Sequence, residues 1–377
     1  MYKIVVTKAV PKQISNLPLE IADKMGLAIN NLSHNPRPHG IKKLKNKTIN
    51  NLFFLVALLA IVSCKESSRK PEVEHEKVVT REILDVPDFN ADTAYKFIEQ
   101  QVAFGPRVPG SRVSIECANY LYRVLRQYGA EVVMQEATAR AFNGKLLPVK
   151  NIIGSWQPEN PKRILLCAHW DSRPYADWDT DESNRNKPID GANDGGSGVG
   201  VLLEIARHLS QEQPHLGIDI ILFDAEDYGE PQGVQSSIKE HNWALGSQYW
   251  SKNPHKSNYS ARFGILLDMV GAEDATFYME GHSMYFASNI VKKVWDTAHR
   301  IGHSKYFIFQ EANPITDDHY YINQNLNIPA INIIHQDKSS NTGFFKYWHT
   351  IDDTVDKIDK ETLKAVGQTV LAVIYNE

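Results

Sequence analysis

Short runs of apolar and β-branched residues at 132–135, 150–153, 163–168, 219–223, 264–267 and 330–334 constrain this chain more than any other feature. Each is strand-length, and between several of them lie segments with apolar residues at helical spacing, at 198–209, 284–300 and 359–375. Apolar strands that alternate with helices bury both faces of a sheet, which predicts a three-layer α/β/α fold around a mostly parallel, mixed sheet. Upstream, Asp88 or Asn90 can cap a helix through 97–104, and Ser111 can cap a second through 121–128. The 377 residues exceed one average domain, yet α/β enzymes often build a single domain of nearly 300 residues on one sheet, so size alone allows one or two.

Composition matters here for what it excludes. Apolar residues at 42% and charged residues at 23% are ordinary for a globular chain, so a large core can form. The 41 basic and 45 acidic side chains leave a formal charge of -4, without the basic excess of nucleic-acid binders. Cys64, Cys117 and Cys167 are too few for a disulfide framework, and Cys167 lies within an apolar run.

The chain divides near its start. Lys42, Lys43, Lys45 and Lys47 precede an apolar run at 52–62 that is too short to span a membrane as an ordinary helix. A cationic start, a short apolar centre and then Ser63 and Cys64 resemble a bacterial lipoprotein signal, residues 46–64, with Cys64 as the lipidated residue. The alternative is a buried helix. Residues 1–45 resemble the N-terminal half of toxins of the RelE and ParE type: a strand at 2–7, helical pattern at 14–32, and a proline-rich turn from Asn35. The strands that would complete that sheet are missing, so the segment reads as a truncated fragment without toxin activity, or else as a small structured extension. Residues 65–88 read as a linker and 89–377 as the catalytic domain. The expected protein is exported and lipid-anchored to a bacterial membrane, in the periplasm or at the cell surface.

In a parallel sheet, ligand-binding groups gather beyond the carboxyl ends of the strands. Run 163–168 ends in His169-Trp170-Asp171-Ser172, run 219–223 in Asp224-Ala225-Glu226-Asp227, and run 264–267 in Asp268. Asp194 sits in a glycine-rich loop before a helix, where the helix N-terminus favours a carboxylate. Trp348-His349-Thr350 follows the last strand. Two histidines with several carboxylates form a mixed nitrogen and oxygen ligand set, for which zinc is the usual occupant. Each piece taken singly has a plainer reading, as a structural histidine or a solvated acidic turn. The glycine loop fits neither the P-loop nor the dinucleotide fingerprint.

From about Phe97 onward, these elements in this order resemble the M28 metallopeptidases, whose fold is that of the zinc exopeptidases. The resemblance implies His169, Asp194, Asp227, Asp268 and His349 at ligand positions, Glu226 as general base, and Asp171 orienting His169. Two chemistries compete within that superfamily. Aminopeptidases hold two zinc ions and activate a water; glutaminyl cyclases hold one, through positions matching Asp194, Asp227 and His349, and close an N-terminal glutamine into pyroglutamate with loss of ammonia.

The run His169-Trp-Asp-Ser-Arg-Pro, the block from Asp190 to Asp194, Phe223-Asp-Ala-Glu-Asp-Tyr-Gly, Leu267-Asp-Met-Val-Gly-Ala, Thr316-Asp-Asp-His and Trp348-His-Thr together resemble bacterial glutaminyl cyclases. By that match Asp268 and Asp317 are hydrogen-bonded acidic partners of the base Glu226, and Trp348 lines the substrate pocket, with Trp243 a further candidate. Because His169 and Asp268 are retained, the expectation is one zinc ion or two, with these as second-metal positions. Peptide or protein N-termini are the expected substrates and a membrane the expected support, with no nucleic acid. An M28 aminopeptidase is the alternative, and a domain that only binds peptides is a third reading. The insert at 175–188, with Asp177, Asp179, Asp181 and Glu182, is expected to be a solvated loop rather than a calcium site, because EF-hand spacing is absent.

Overall fold

The computed structural model describes residues 86–234 and 241–377. The toxin-like fragment 1–45, the signal segment 46–64 with Cys64, and the linker as far as residue 85 lie outside the described residues. No helix among the described residues is long and apolar enough to cross a membrane.

In chain order the elements are α1 (Ala91–Val102), α2 (Arg112–Gln127), β1 (Glu131–Arg140), β2 (Leu146–Trp156), β3 (Arg163–His169), α3 (Gly196–Gln211), β4 (Gly217–Phe223) and α4 (Leu245–Lys252). There follow β5 (Gly264–Asp268), β6 (Phe277–Met279), α5 (Gly281–Arg300), β7 (Phe307–Glu311), α6 (Asp318–Leu326), β8 (Ala330–Ile334) and α7 (Lys360–Tyr375). The six-stranded sheet runs β1-β2-β4-β3-β5-β8. β4, β3, β5 and β8 are mutually parallel, while β1 and β2 extend one edge in antiparallel fashion. β6 and β7 pair separately, in parallel.

The strand period of two sorts the central runs onto two cores. On β3, Ile164, Leu166 and Ala168 enter one cluster with α1, α2, α3, α5 and α7, while Leu165 and Cys167 enter the opposite cluster with Trp250 of α4 and Ile322 of α6. β4 and β5 divide in the same way. One polar residue interrupts the pattern. Asp219 on β4 is wholly buried, and it is satisfied by Arg163 through Nε at 2.6 Å and Nη2 at 2.7 Å, by Ser155 Oγ at 2.6 Å and by Tyr259 Oη at 2.7 Å. A buried charge is tolerable only when paired in this manner.

The caps are where the sequence places them. Asn90 accepts from Thr93 N and Ser111 from Ser114 N. Four elements have no counterpart in the sequence reading. The buried positions of α6 include Asp318, His319 and Asn323, and those of α4 include Gly246, Ser247 and Ser251, so neither carries an apolar stripe. β6 has three residues and β7 buries only Phe307, too little to show a period. β1 and β2 run longer than their apolar centres, because as a hairpin they pair from Glu131 opposite Ser155 to Arg140 opposite Leu146.

Candidate active site

The parallel strands end side by side and deliver their last residues to one crevice. His169 closes β3, Asp268 closes β5, and Glu226 and Asp227 follow β4 by a turn. That turn holds Ala225 at φ +55°, Met269 after β5 has φ +48°, and His349 has φ +53°. Three non-glycine residues in the left-handed region, all at one crevice, are backbone strain held where chemistry is placed. Gly195, at φ +89°, allows the Asp194 loop to close on β3: a Cβ there would stand 2.3 Å from the Asp171 carbonyl oxygen.

The ligand candidates form two overlapping groups, His169 with Asp194 and Asp268, and Asp194 with Asp227 and His349, each with its donor atoms within 4.8 Å of one another. His169 Nε2 lies 3.1 Å from Asp194 Oδ1 and 3.2 Å from Asp268 Oδ1. His349 Nε2 lies 3.2 Å from Asp227 Oδ1 and 3.6 Å from Asp194 Oδ2. Asp171 Oδ1 is 3.4 Å from His169 Nδ1, and the same carboxylate accepts from the backbone N–H groups of Glu226 and Asp227 at 3.0 and 3.2 Å. It thus aligns both sides of the crevice.

Charge is crowded here. Burial, followed by the charge of Asp317, holds the Glu226 carboxyl well above its usual range. Burial and then Asp268 push Asp317 up to about 7, and burial and then Asp194 push Asp353 up to about 8. Burial also raises Asp268 against the opposing pull of His169. For His169 burial works downward, but hydrogen bonds to Asp171, Asp194 and Asp268 outweigh it and raise the imidazole well above its ordinary value. Asp227 Oδ2 is buried without a hydrogen-bond partner among the described residues. Excess buried carboxylate, an orphaned oxygen and two imidazoles are what a divalent cation compensates, so the donor set fits zinc.

A cavity of about 290 Å³ opens above these groups. Glu226, Asp227, Asp268 and Asp317 line its polar part, and Trp243, Ile315, Phe344 and Trp348 its apolar wall. Trp348 stacks on His349 with ring centroids 3.6 Å apart, and Trp243 lies parallel to the same ring at 6.2 Å. The two acids expected beside the base carry bonds of their own. Among the described residues no hydrogen bond joins the Glu226 carboxylate to Asp268 or Asp317. Asp268 bonds His169, while Asp317 accepts from Asn332 Nδ2 at 2.6 Å, caps α6 and acts on Glu226 through its charge.

The family description "Peptidase family M28" matches residues 151–374, which include the whole crevice. The chain belongs to peptidase family M28. Among solved structures of this family's fold, this M28 protein is similar to the glutaminyl cyclase of Tannerella forsythia, with 57% identity, 77% of this chain and 100% of that one covered, and a TM-score of 0.76. A leucine aminopeptidase precursor from Bacteroides thetaiotaomicron VPI-5482 is similar at 56% identity, over 78% of this chain and 99% of that one, with a TM-score of 0.75. Aminopeptidase YwaD of Bacillus subtilis (strain 168) is 27% identical over 298 residues, 74% of this chain; the chain spans 55% of that relative's length.

Several residues of the M28 site were not singled out by sequence reasoning. Asp353, wholly buried, accepts from the backbone N–H groups of Asn193 and Asp194 at 2.8 and 3.0 Å and so fixes the Asp194 loop. Arg173, in the quoted run after His169, donates Nη1 to Asp227 Oδ1 at 3.2 Å, under the face of Trp243. The acidic insert is not the solvated loop expected: Asp177 and Asp179 are buried, whereas Asp181 and Glu182 are exposed. Alternating charge gives no period from which such burial could be read.

Proposed function

We propose that this chain converts the N-terminal glutamine of peptides to pyroglutamate with release of ammonia. The observation that carries this reading is the small walled cavity, with Glu226 opening onto it beside the Asp194, Asp227 and His349 group, in a chain so similar to a bacterial glutaminyl cyclase along that enzyme's whole length. At about 290 Å³ the cavity is at the small end of ligand sites, suited to one terminal residue rather than a stretch of chain.

Asp194, Asp227 and His349 would hold zinc, which when bound acts as a Lewis acid on the side-chain carbonyl of the glutamine. The α-amine and the side-chain amide belong to the same residue, so ring closure needs orientation more than encounter. Trp348 and Trp243 supply flat walls against which the closing ring is held, and they keep water out. As the bond from the α-nitrogen to the side-chain carbonyl carbon forms, Glu226 takes a proton from the amine. It returns that proton to the amide nitrogen as the carbon–nitrogen bond breaks and ammonia leaves. Burial, and then the charge of Asp317, favour the protonated form of Glu226, which suits a residue that must carry a proton and give it up. Mass spectrometry of a glutaminyl peptide incubated with the protein tests the reading: the product is the intact peptide less one ammonia.

A second reading rests on a specific observation. The His169, Asp194 and Asp268 group is complete, as a two-zinc aminopeptidase requires. In that case Glu226 would activate water, and the products would be a free amino acid and a shortened peptide.

The sequence order of lysines, apolar run, Ser63 and Cys64 supports export and lipid anchoring through Cys64, with residues 1–45 taking no part in catalysis.

A further inference from the structure

The acidic insert at 175–188 meets the segment around His349 in four contacts. Asp177 Oδ1 approaches His349 Nδ1 to 3.4 Å, and among the described residues that buried nitrogen has no hydrogen-bond partner. Trp178 N donates to the His349 carbonyl oxygen at 3.2 Å, and Ile351 N donates to Asp179 Oδ2 at 3.2 Å. The indoles of Trp178 and Trp348 pack at 5.7 Å. Asp177 is itself held rigidly: Arg173 reaches both its oxygens, Nε to Oδ1 at 2.7 Å and Nη2 to Oδ2 at 2.9 Å, and Gln232 N adds a bond at 2.8 Å. The same guanidinium grips Asp227 through Nη1, at Oδ1 and at the carbonyl oxygen, at 3.2 and 3.0 Å. Arg173 and Asp177 therefore lie behind two of the three proposed zinc ligands at once.

A histidine presents one ring nitrogen to a metal only if its other nitrogen keeps the proton, and an acceptor at that second nitrogen fixes both tautomer and ring plane. His349 faces Asp194 and Asp227 with Nε2, which leaves Nδ1 for such an acceptor. Its left-handed backbone, at φ +53°, also needs outside support. We infer that Asp177 is the positioning residue that fixes His349 through Nδ1, and that the insert is a strap bracing the strained His349 backbone. The inference rests on His349 being a zinc ligand. It divides the four acids of the insert: Asp177 and Asp179 position, Asp181 and Glu182 are solvated.

The test measures zinc affinity by competition with a chromophoric chelator, on the full chain and on Asp177→Asn, Glu182→Gln and His349→Ala. Asp177→Asn should bind zinc about 10- to 100-fold more weakly, measured at a temperature where the variant is folded, and Glu182→Gln should match the parent. A second readout needs no variant: nitrogen NMR of the zinc-loaded parent should show His349 protonated at Nδ1, with zinc at Nε2. Parent-like affinity in Asp177→Asn, or a proton at Nε2 in the parent, would overturn the positioning role while leaving the ligand reading intact. Full zinc binding by His349→Ala would overturn the ligand reading, and this inference with it.

Discussion

Asp194 offers Oδ1 to His169 Nε2 at 3.1 Å, which leaves its other oxygen for His349. One carboxylate thus serves both candidate metal groups, and the number of ions depends on whether His169 acts as a ligand or as a hydrogen-bonded neighbour. The cyclase reading makes it a neighbour. His349→Ala should then lose zinc and turnover together, while His169→Ala keeps about one zinc per chain and loses less activity. Elemental analysis per chain checks this, and a parent with two ions that falls to one in His169→Ala would favour the aminopeptidase.

Glu226 carries the proton in this account. Glu226→Gln fills the same space but cannot accept a proton, so turnover should fall about 10²- to 10⁴-fold with zinc content unchanged. Near-parental turnover in a zinc-replete variant contradicts the assignment.

Glu280, which follows β6 and caps α5, braces the cavity wall at Ile315. It is wholly buried, its Oε2 meets His319 Nε2 at 3.0 Å, and its Oε1 accepts from Ile315 N at 2.7 Å. Burial alone would raise its pKa, but the hydrogen bonds from His319 and Ser283 outweigh burial and lower it from 4.5 to about 2. A depressed carboxyl stabilises the fold fully above its unfolded value and loses that contribution as pH falls through its folded value. The shift corresponds to about 3 kcal/mol. In denaturant titrations Glu280→Gln should be less stable than the parent by roughly that amount at about pH 6, and by roughly half of it near pH 3. A gap that does not change with pH contradicts the pairing.

Much of this architecture is legible from apolar runs, because β3, β4, β5 and β8 are buried on both faces of the sheet. The residues the crevice brings together were legible for a related reason. His169, Glu226, Asp227 and Asp268 are polar groups at the ends of those runs, a position that sequence alone defines. What escaped is held by tertiary contact: Asp177, Asp353 and Glu280 lie in polar segments where a buried acid and a solvated one look alike. α6 escaped because its inward face mixes Asp318, His319 and Asn323 with Tyr321 and Ile322, which leaves no apolar stripe. Asp268 and Asp317, expected beside Glu226, also bond His169 and Asn332, partners that no spacing in the sequence points to.

The export proposal predicts a mature protein whose N-terminus is a lipid-modified Cys64. Expression with the native upstream sequence, cell fractionation and mass measurement of the mature chain should place it in the membrane fraction. A soluble product that begins at Met1 with an unmodified Cys64 contradicts the proposal and makes residues 1–45 part of the working protein.

The central claim is that the α-amine of the substrate, not water, attacks. Incubating the zinc-loaded protein with a peptide whose first residue is glutamine, and measuring ammonia and free amino acid in the same sample, tests this most directly. The expected result is one ammonia for each peptide consumed, a product of unchanged length with a blocked N-terminus, and no free glutamine. Release of free glutamine with a peptide one residue shorter, and no ammonia, would contradict it.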